Sequence, residues 1–63
     1  MNKLKKIRQN MRLRQIDLAK RAGVGLTTIY YIESGYEERA SQKTKEKIAL
    51  GLGKKVEEIF VES

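Results

Sequence analysis

Leu26, Thr27, Thr28, Tyr30 and Tyr31 stand close together at helical spacing and share one kind of chemistry. Short hydroxyls and phenol rings exchange single hydrogen bonds and offer apolar faces. They suit the edges of bases, a thymine methyl or a phosphate oxygen. Cations surround them. The chain has 14 Lys and Arg against 8 acids, a net +6. Lys3, Lys5, Lys6, Arg8, Arg12 and Arg14 lie in the first fourteen residues without one acid, and the remaining chain balances to zero. A segregated basic end suits a phosphate backbone. The plainer alternative is a solvated helix face, the usual fate of charge runs.

Other chemistries have little to work with. The chain has no Cys and no His, which removes disulfides, zinc fingers and His-based catalysis. It has no glycine-rich phosphate loop and no pair of carboxylates spaced for a cleft, so the sequence argues against an enzyme. No metal, cofactor or small-molecule ligand is expected. The chain has neither a long apolar run nor the apolar core of a signal peptide, so the expectation is a cytoplasmic protein with no membrane partner. Sixty-three residues make one domain, residues 1–63, burying only about 60% of the unfolded surface. Without Pro and rich in Lys, Leu, Ile and Glu, that domain is expected to be all-α.

The elements that must hold the five residues follow from apolar spacing and punctuation. A first helix is expected over Lys3 to Met11, with Leu4, Ile7 and Met11 as its buried stripe. Arg12 and a buried Leu13 link it to a second helix, Gln15 to Ala22. Gly23-Val24-Gly25 makes the turn, with Gly23 at a position that favours positive φ. The third helix runs from Leu26 to about Ser34. Leu18, Ala19, Ala22, Val24, Ile29 and Ile32 supply one inward face on each helix of this pair plus one turn residue. Two short helices so joined make a helix-turn-helix, whose second helix is the kind that enters a DNA major groove. At about 100° per residue, Ile29, Ile32 and Glu33 face inward and Thr27, Tyr31 and Ser34 outward. Leu26 and Tyr30 flank one side and Thr28 the other. Beyond Gly35 comes a polar loop, Tyr36 to Ala40. Ser41 then caps a fourth helix, Gln42 to Leu52, with Ile48, Ala49 and Leu52 inward, Thr44 and the stem of Lys45 over its first turn, and Gly53 at its end. Val56, Ile59 and Phe60 close the domain on a last short helix.

The pattern Leu13-x-Gln15-x-x-Leu18-Ala19-x-x-Ala22-Gly23-Val24-x-x-x-Thr28-Ile29-x-x-Ile32-Glu33-x-Gly35 resembles the Cro and phage-repressor (Xre-type) helix-turn-helix family, over roughly Leu4 to Phe60. The resemblance implies a compact, five-helix, lambda-repressor-like domain that binds double-stranded DNA, commonly as a dimer on a short palindromic operator. It also implies that Leu26, Thr27, Thr28 and Tyr31 face base pairs, which agrees with the helical wheel at Thr27 and Tyr31. Gln15 matches a residue that holds a phosphate at the start of the second helix, a task its amide and the local N–H groups suit. Arg8 and Glu33 match a buried ion pair of several relatives, and the inward position of Glu33 favours that pairing over two unrelated surface charges. Two departures stand out: Arg12 replaces a Gly, and Arg14 replaces a Ser, Thr or Asn cap. A lost cap costs about 1 kcal/mol and a cation there opposes the helix dipole. A phosphate bound beside Arg14 would offset that cost.

Several readings stay open at this level. Arg14, Tyr30, Arg39 and Lys43 join Gln15 as phosphate candidates, while Tyr30 is equally suited to covering core edge and Thr28 to packing. No Arg, Asn or Gln is poised for bidentate base readout, so the operator sequence does not follow from the residues. Leu50 and Val61 point away from the core faces of their helices and are the candidates for a homodimer contact, at least on DNA. The leading function is a small transcriptional repressor of a phage or mobile element. The alternative is an antitoxin-type interaction module that also regulates its own promoter.

Overall fold

Five α-helices and a 3-10 turn follow one another along residues 2–60, the part of the chain that the computed structural model describes. They are α1 (Leu4–Asn10), α2 (Gln15–Ala22), α3 (Leu26–Glu33), α4 (Gln42–Leu52) and α5 (Val56–Ile59), with the 3-10 turn at Glu37–Arg39. α2 and α4 have the bounds the sequence predicts, α3 and α5 stop one residue short of theirs, and α1 is one residue short at each end. No strand occurs among the described residues.

The helix ends explain these bounds. Four helices close on the same bond, from an amide to the carbonyl five residues earlier, which satisfies a carbonyl left over at the end of the helix. The donors are the amides of Leu13, Val24, Tyr36 and Lys54, and the acceptors are the carbonyls of Arg8, Ala19, Tyr31 and Ala49. The residue before each donor must be left-handed. Gly23, Gly35 and Gly53 take that position after α2, α3 and α4. After α1 it falls to Arg12, at φ 58°, where an L side chain costs about 1–2 kcal/mol.

The helix starts differ. Ser41 Oγ accepts the Thr44 amide at 3.2 Å, the capping bond expected of it. Arg14 has no acceptor to offer α2, and the expected cost is relieved by a residue the sequence reading passed over. The Asp17 carboxylate accepts the Arg14 amide at 2.8 Å and its guanidinium at 3.0 and 2.9 Å. A negative charge thus sits in the first turn, where the dipole favours it.

Leu4, Leu18, Ala19, Ile29, Ile32, Ala40, Ile48, Ala49, Leu52 and Ile59 form a single buried core. Ile7, Leu13, Ala22, Val24, Val56 and Phe60 pack around it, half-buried. Two expectations need correcting. Met11 continues the spacing of Leu4 and Ile7 but lies beyond the last turn of α1 and is 39% exposed. The stretch from Tyr36 to Ala40 is not a plain polar loop, because it winds into the 3-10 turn and sends Ala40 into the core.

α2 packs most extensively on α4, and next on α3. The chain before α1 ties the ends of two other helices. The Lys3 amide donates to the Ile59 carbonyl at 2.9 Å. Asn2 Oδ1 accepts the Leu4 amide, while Nδ2 donates to the Ile32 carbonyl and the Glu37 carboxylate. This packing takes up the inner side of α3, the 3-10 turn lies beside Tyr31, and Leu26, Thr27 and Tyr30 are left exposed.

Candidate nucleic-acid interface

The open side of α3 is the candidate surface. Leu26, Thr27, Tyr30, Tyr31 and Ser34 are exposed along it, and Thr28 is half-buried at its edge. Leu26 and Tyr30, one turn apart, leave 44% and 58% of their surface to solvent. They put an apolar surface beside the hydroxyls of a helix whose inner side is pinned by Ile29 and Ile32. Gly25 caps the helix without a side chain, so no capping side chain engages its first amides. Their partial positive charge suits an anion.

One hydrogen-bonded network holds α3 against the two helices before it. Arg8 Nε donates to Glu33 Oε2 at 2.6 Å, and a second guanidinium nitrogen donates to Glu33 Oε1 at 3.0 Å. The third guanidinium nitrogen donates to the Leu13 carbonyl at 2.7 Å. The two side chains are only 10% and 4% exposed. Gln15 Nε2 also donates to Glu33 Oε1, at 3.1 Å. Glu33, the last residue of α3, is therefore anchored by α1 through Arg8 and by α2 through Gln15. The Gln15–Glu33 bond was not read from the sequence. Both residues belonged to the motif, but a contact across 18 positions leaves no local signal.

The cations are placed less uniformly than their clustering suggests. Arg8 is neutralised inside the domain and Arg14 is paired with Asp17 at the surface. Lys3, Lys5, Lys6 and Arg12 are exposed and make no ion pair among the described residues. Lys5 lines a shallow cleft at the C-terminal end of α3 with Asn2, Glu33 and Gly35. Lys43 is exposed at the start of α4, and Arg39 ends the 3-10 turn with its guanidinium 5.1 Å from the centre of the Tyr31 ring. The hydrogen bond from the Arg14 side chain, then that from its backbone amide, holds the Asp17 carboxyl at about 2, well below its ordinary 3.8.

The dimer candidates fare unequally. Leu50 is 82% exposed on α4, while Val61 lies outside the described residues. No residue cluster among those described could hold a metal ion, and no helix there is long and apolar enough to cross a membrane. Every buried side-chain nitrogen and oxygen among them has a hydrogen-bond partner.

Comparison with known proteins agrees with the α2–turn–α3 geometry. The helix-turn-helix family model matches residues 4–59. The chain is 47% identical, over 60 residues, to an uncharacterized HTH-type transcriptional regulator of Methanocaldococcus jannaschii, covering 95% of this chain and 89% of the relative. No solved structure matches. A family match across nearly all of the described residues, on a structure with the motif's own helices and turn, places the chain in its family: it belongs to the helix-turn-helix proteins.

Proposed function

We propose that this protein binds specific sequences of double-stranded DNA through α3 in the major groove and regulates transcription as a small repressor. The observation that carries this reading is the exposed, uncharged, hydroxyl- and aromatic-rich face of α3, held rigidly by the network at Glu33. An α-helix fits the major groove, and side chains of these types meet base edges and thymine methyls there. Leu26, Thr27, Thr28 and Tyr31 are assigned to bases. Gln15, Arg14, Tyr30, Arg39 and Lys43 are assigned to phosphates. Gln15 has one amide hydrogen engaged by Glu33 and a second available. Arg14 would share its guanidinium between Asp17 and a phosphate.

The same reading has two copies bound to a palindrome, with recognition helices about 34 Å apart. One small module buries roughly 600–1,000 Å² on DNA, which seldom suffices for repressor-grade affinity. Leu50, the most exposed large hydrophobic among the described residues, and Val61 are the proposed contact. Relatedness to a protein described as a transcriptional regulator supports the regulatory part.

Selection of bound sequences from random DNA tests the proposal. A repeated half-site should emerge, and Thr27→Ala and Tyr31→Ala should each relax one or two positions in it, at about 1–3 kcal/mol. Footprinting and sedimentation on the selected site test the dimer. One chain on one half-site, indifferent to Leu50→Lys, would rule it out.

A further inference from the structure

Tyr31 is the one proposed base-reading side chain whose ring is held by neighbours on two sides. The edge contact comes from Tyr36, with ring centres 6.4 Å apart and planes at 87°. The face contact comes from Arg39, whose guanidinium carbon lies 5.1 Å from the ring centre. Tyr30 adds a looser contact, at 6.3 Å and 61°. The backbones of both main neighbours are held by hydrogen bonds. The Tyr36 amide donates to the Tyr31 carbonyl at 2.9 Å, and the Arg39 amide donates to the Tyr36 carbonyl at 3.0 Å. The 3-10 turn that carries Arg39 is pinned by buried Ala40 on one side and by the Asn2–Glu37 bond on the other.

Resting on the DNA-binding reading above, we infer that Tyr36 and Arg39 are positioning residues for sequence discrimination, which set the aim of the Tyr31 hydroxyl and ring edge without touching a base. A tyrosine left 37% exposed and held by nothing would sample several orientations and meet several bases almost equally well. Edge-to-face packing and a guanidinium over the ring narrow that range, so part of the ordering is done before binding. Arg39 is suited to a double role. A guanidinium over a ring makes a cation–π contact through its charge, and its N–H groups can still reach a phosphate oxygen. Lysine would keep the charge but not the planar guanidinium. One side chain would thereby couple a backbone contact to a base contact.

Sequence selection and a salt titration on the selected site, run with purified full-length variants, test this. Tyr31→Ala first marks the base positions that Tyr31 governs. Tyr36→Ala and Arg39→Lys should then erode preference at those same positions, by roughly tenfold, while Tyr36→Phe, which keeps the ring, retains it. Arg39→Lys should leave the salt slope intact, whereas Arg39→Gln should flatten it by about one phosphate, near 0.9 in log–log slope. Tyr36 and Arg39 are exposed, so each variant should fold, and circular dichroism checks that it does. The inference is overturned if Tyr36→Ala and Arg39→Lys keep the preference, or if they weaken all sequences alike. A Tyr31→Ala protein with unaltered preference overturns it too. Failure of the wild-type protein to enrich any sequence would instead sink the DNA-binding reading on which it rests.

Discussion

Gly51 of α4 lies against the backbone of Ala22 at the end of α2: a Cβ placed on Gly51 would sit 3.2 Å from the Ala22 Cα and 3.3 Å from its Cβ and N. The two most extensively packed helices thus touch nearly backbone to backbone, just before the turn that launches α3. Glycine inside a helix costs about 1 kcal/mol relative to alanine, and here that cost permits the close crossing. Gly51→Val should destabilise the domain by about 1–3 kcal/mol through overpacking, because its gain in helix propensity over glycine offsets only a small part of the clash. Gly51→Ala should lose less, because improved helix propensity offsets part of the clash. Urea denaturation measures both, and a Gly51→Val protein as stable as the parent would contradict the crossing.

The Arg8–Glu33 pair should prove to be the costliest polar contact to break. Two side chains 10% and 4% exposed lose most of their hydration, so removing one strands the other. Arg8→Ala or Glu33→Ala should each cost about 3–5 kcal/mol, a large part of the stability of so small a domain. Replacing both together should cost much less than the sum, since no unpaired charge then stays buried. A double-mutant cycle with no coupling would show that the pair contributes nothing as a pair.

At Arg12 the sequence carries a removable strain. Its left-handed φ of 58° favours glycine, and the side chain is exposed. Arg12→Gly removes about 1–2 kcal/mol of steric cost but returns part of it as unfolded-chain entropy. The net expectation is a gain of about 0.5–1 kcal/mol, or several degrees in Tm for a domain of this size. Arg12→Val should move Tm the other way. A lower Tm for the glycine variant would mean that Arg12 has stabilising contacts outweighing its strain.

Asp17 should make stability depend on acid. Its folded value of about 2 lies below the ordinary 3.8, so the unfolded chain binds the proton more readily. The contribution is complete above about pH 4 and is lost as pH falls through about 2. The pair is exposed, so salt should weaken it. NMR titration of the Asp17 carboxyl should find a midpoint near 2 that climbs toward 3.8 in Arg14→Ala, where the backbone amide bond remains. A wild-type midpoint near 3.8 would remove the cap.

The helices could be read from the sequence because their determinants are local. Apolar spacing, Ser41, Gly23, Gly35 and Gly53 act within a turn or two of where they stand. The bounds of α2 and α4, the inward face of Ile29, Ile32 and Glu33, and the core of α4 all follow from such signals. Asp17 was legible in principle, as an acid three residues after the helix start, although Arg14 drew attention to the wrong side of that pair. Met11 shows where periodicity alone fails: its spacing fits the stripe, but the helix ends at Asn10 and Met11 stays 39% exposed. Only tertiary structure decided which distant side chains meet. Gln15 reaches Glu33 across 18 positions, Asn2 reaches Glu37 across 35, and Gly51 meets Ala22 only because α4 crosses α2. Tyr36 and Arg39, within eight residues of Tyr31, fall on its ring because the turn at Ser34–Gly35 reverses the chain and Ala40 is drawn into the core. Such contacts depend on the path of the whole chain, which no window of neighbouring residues contains.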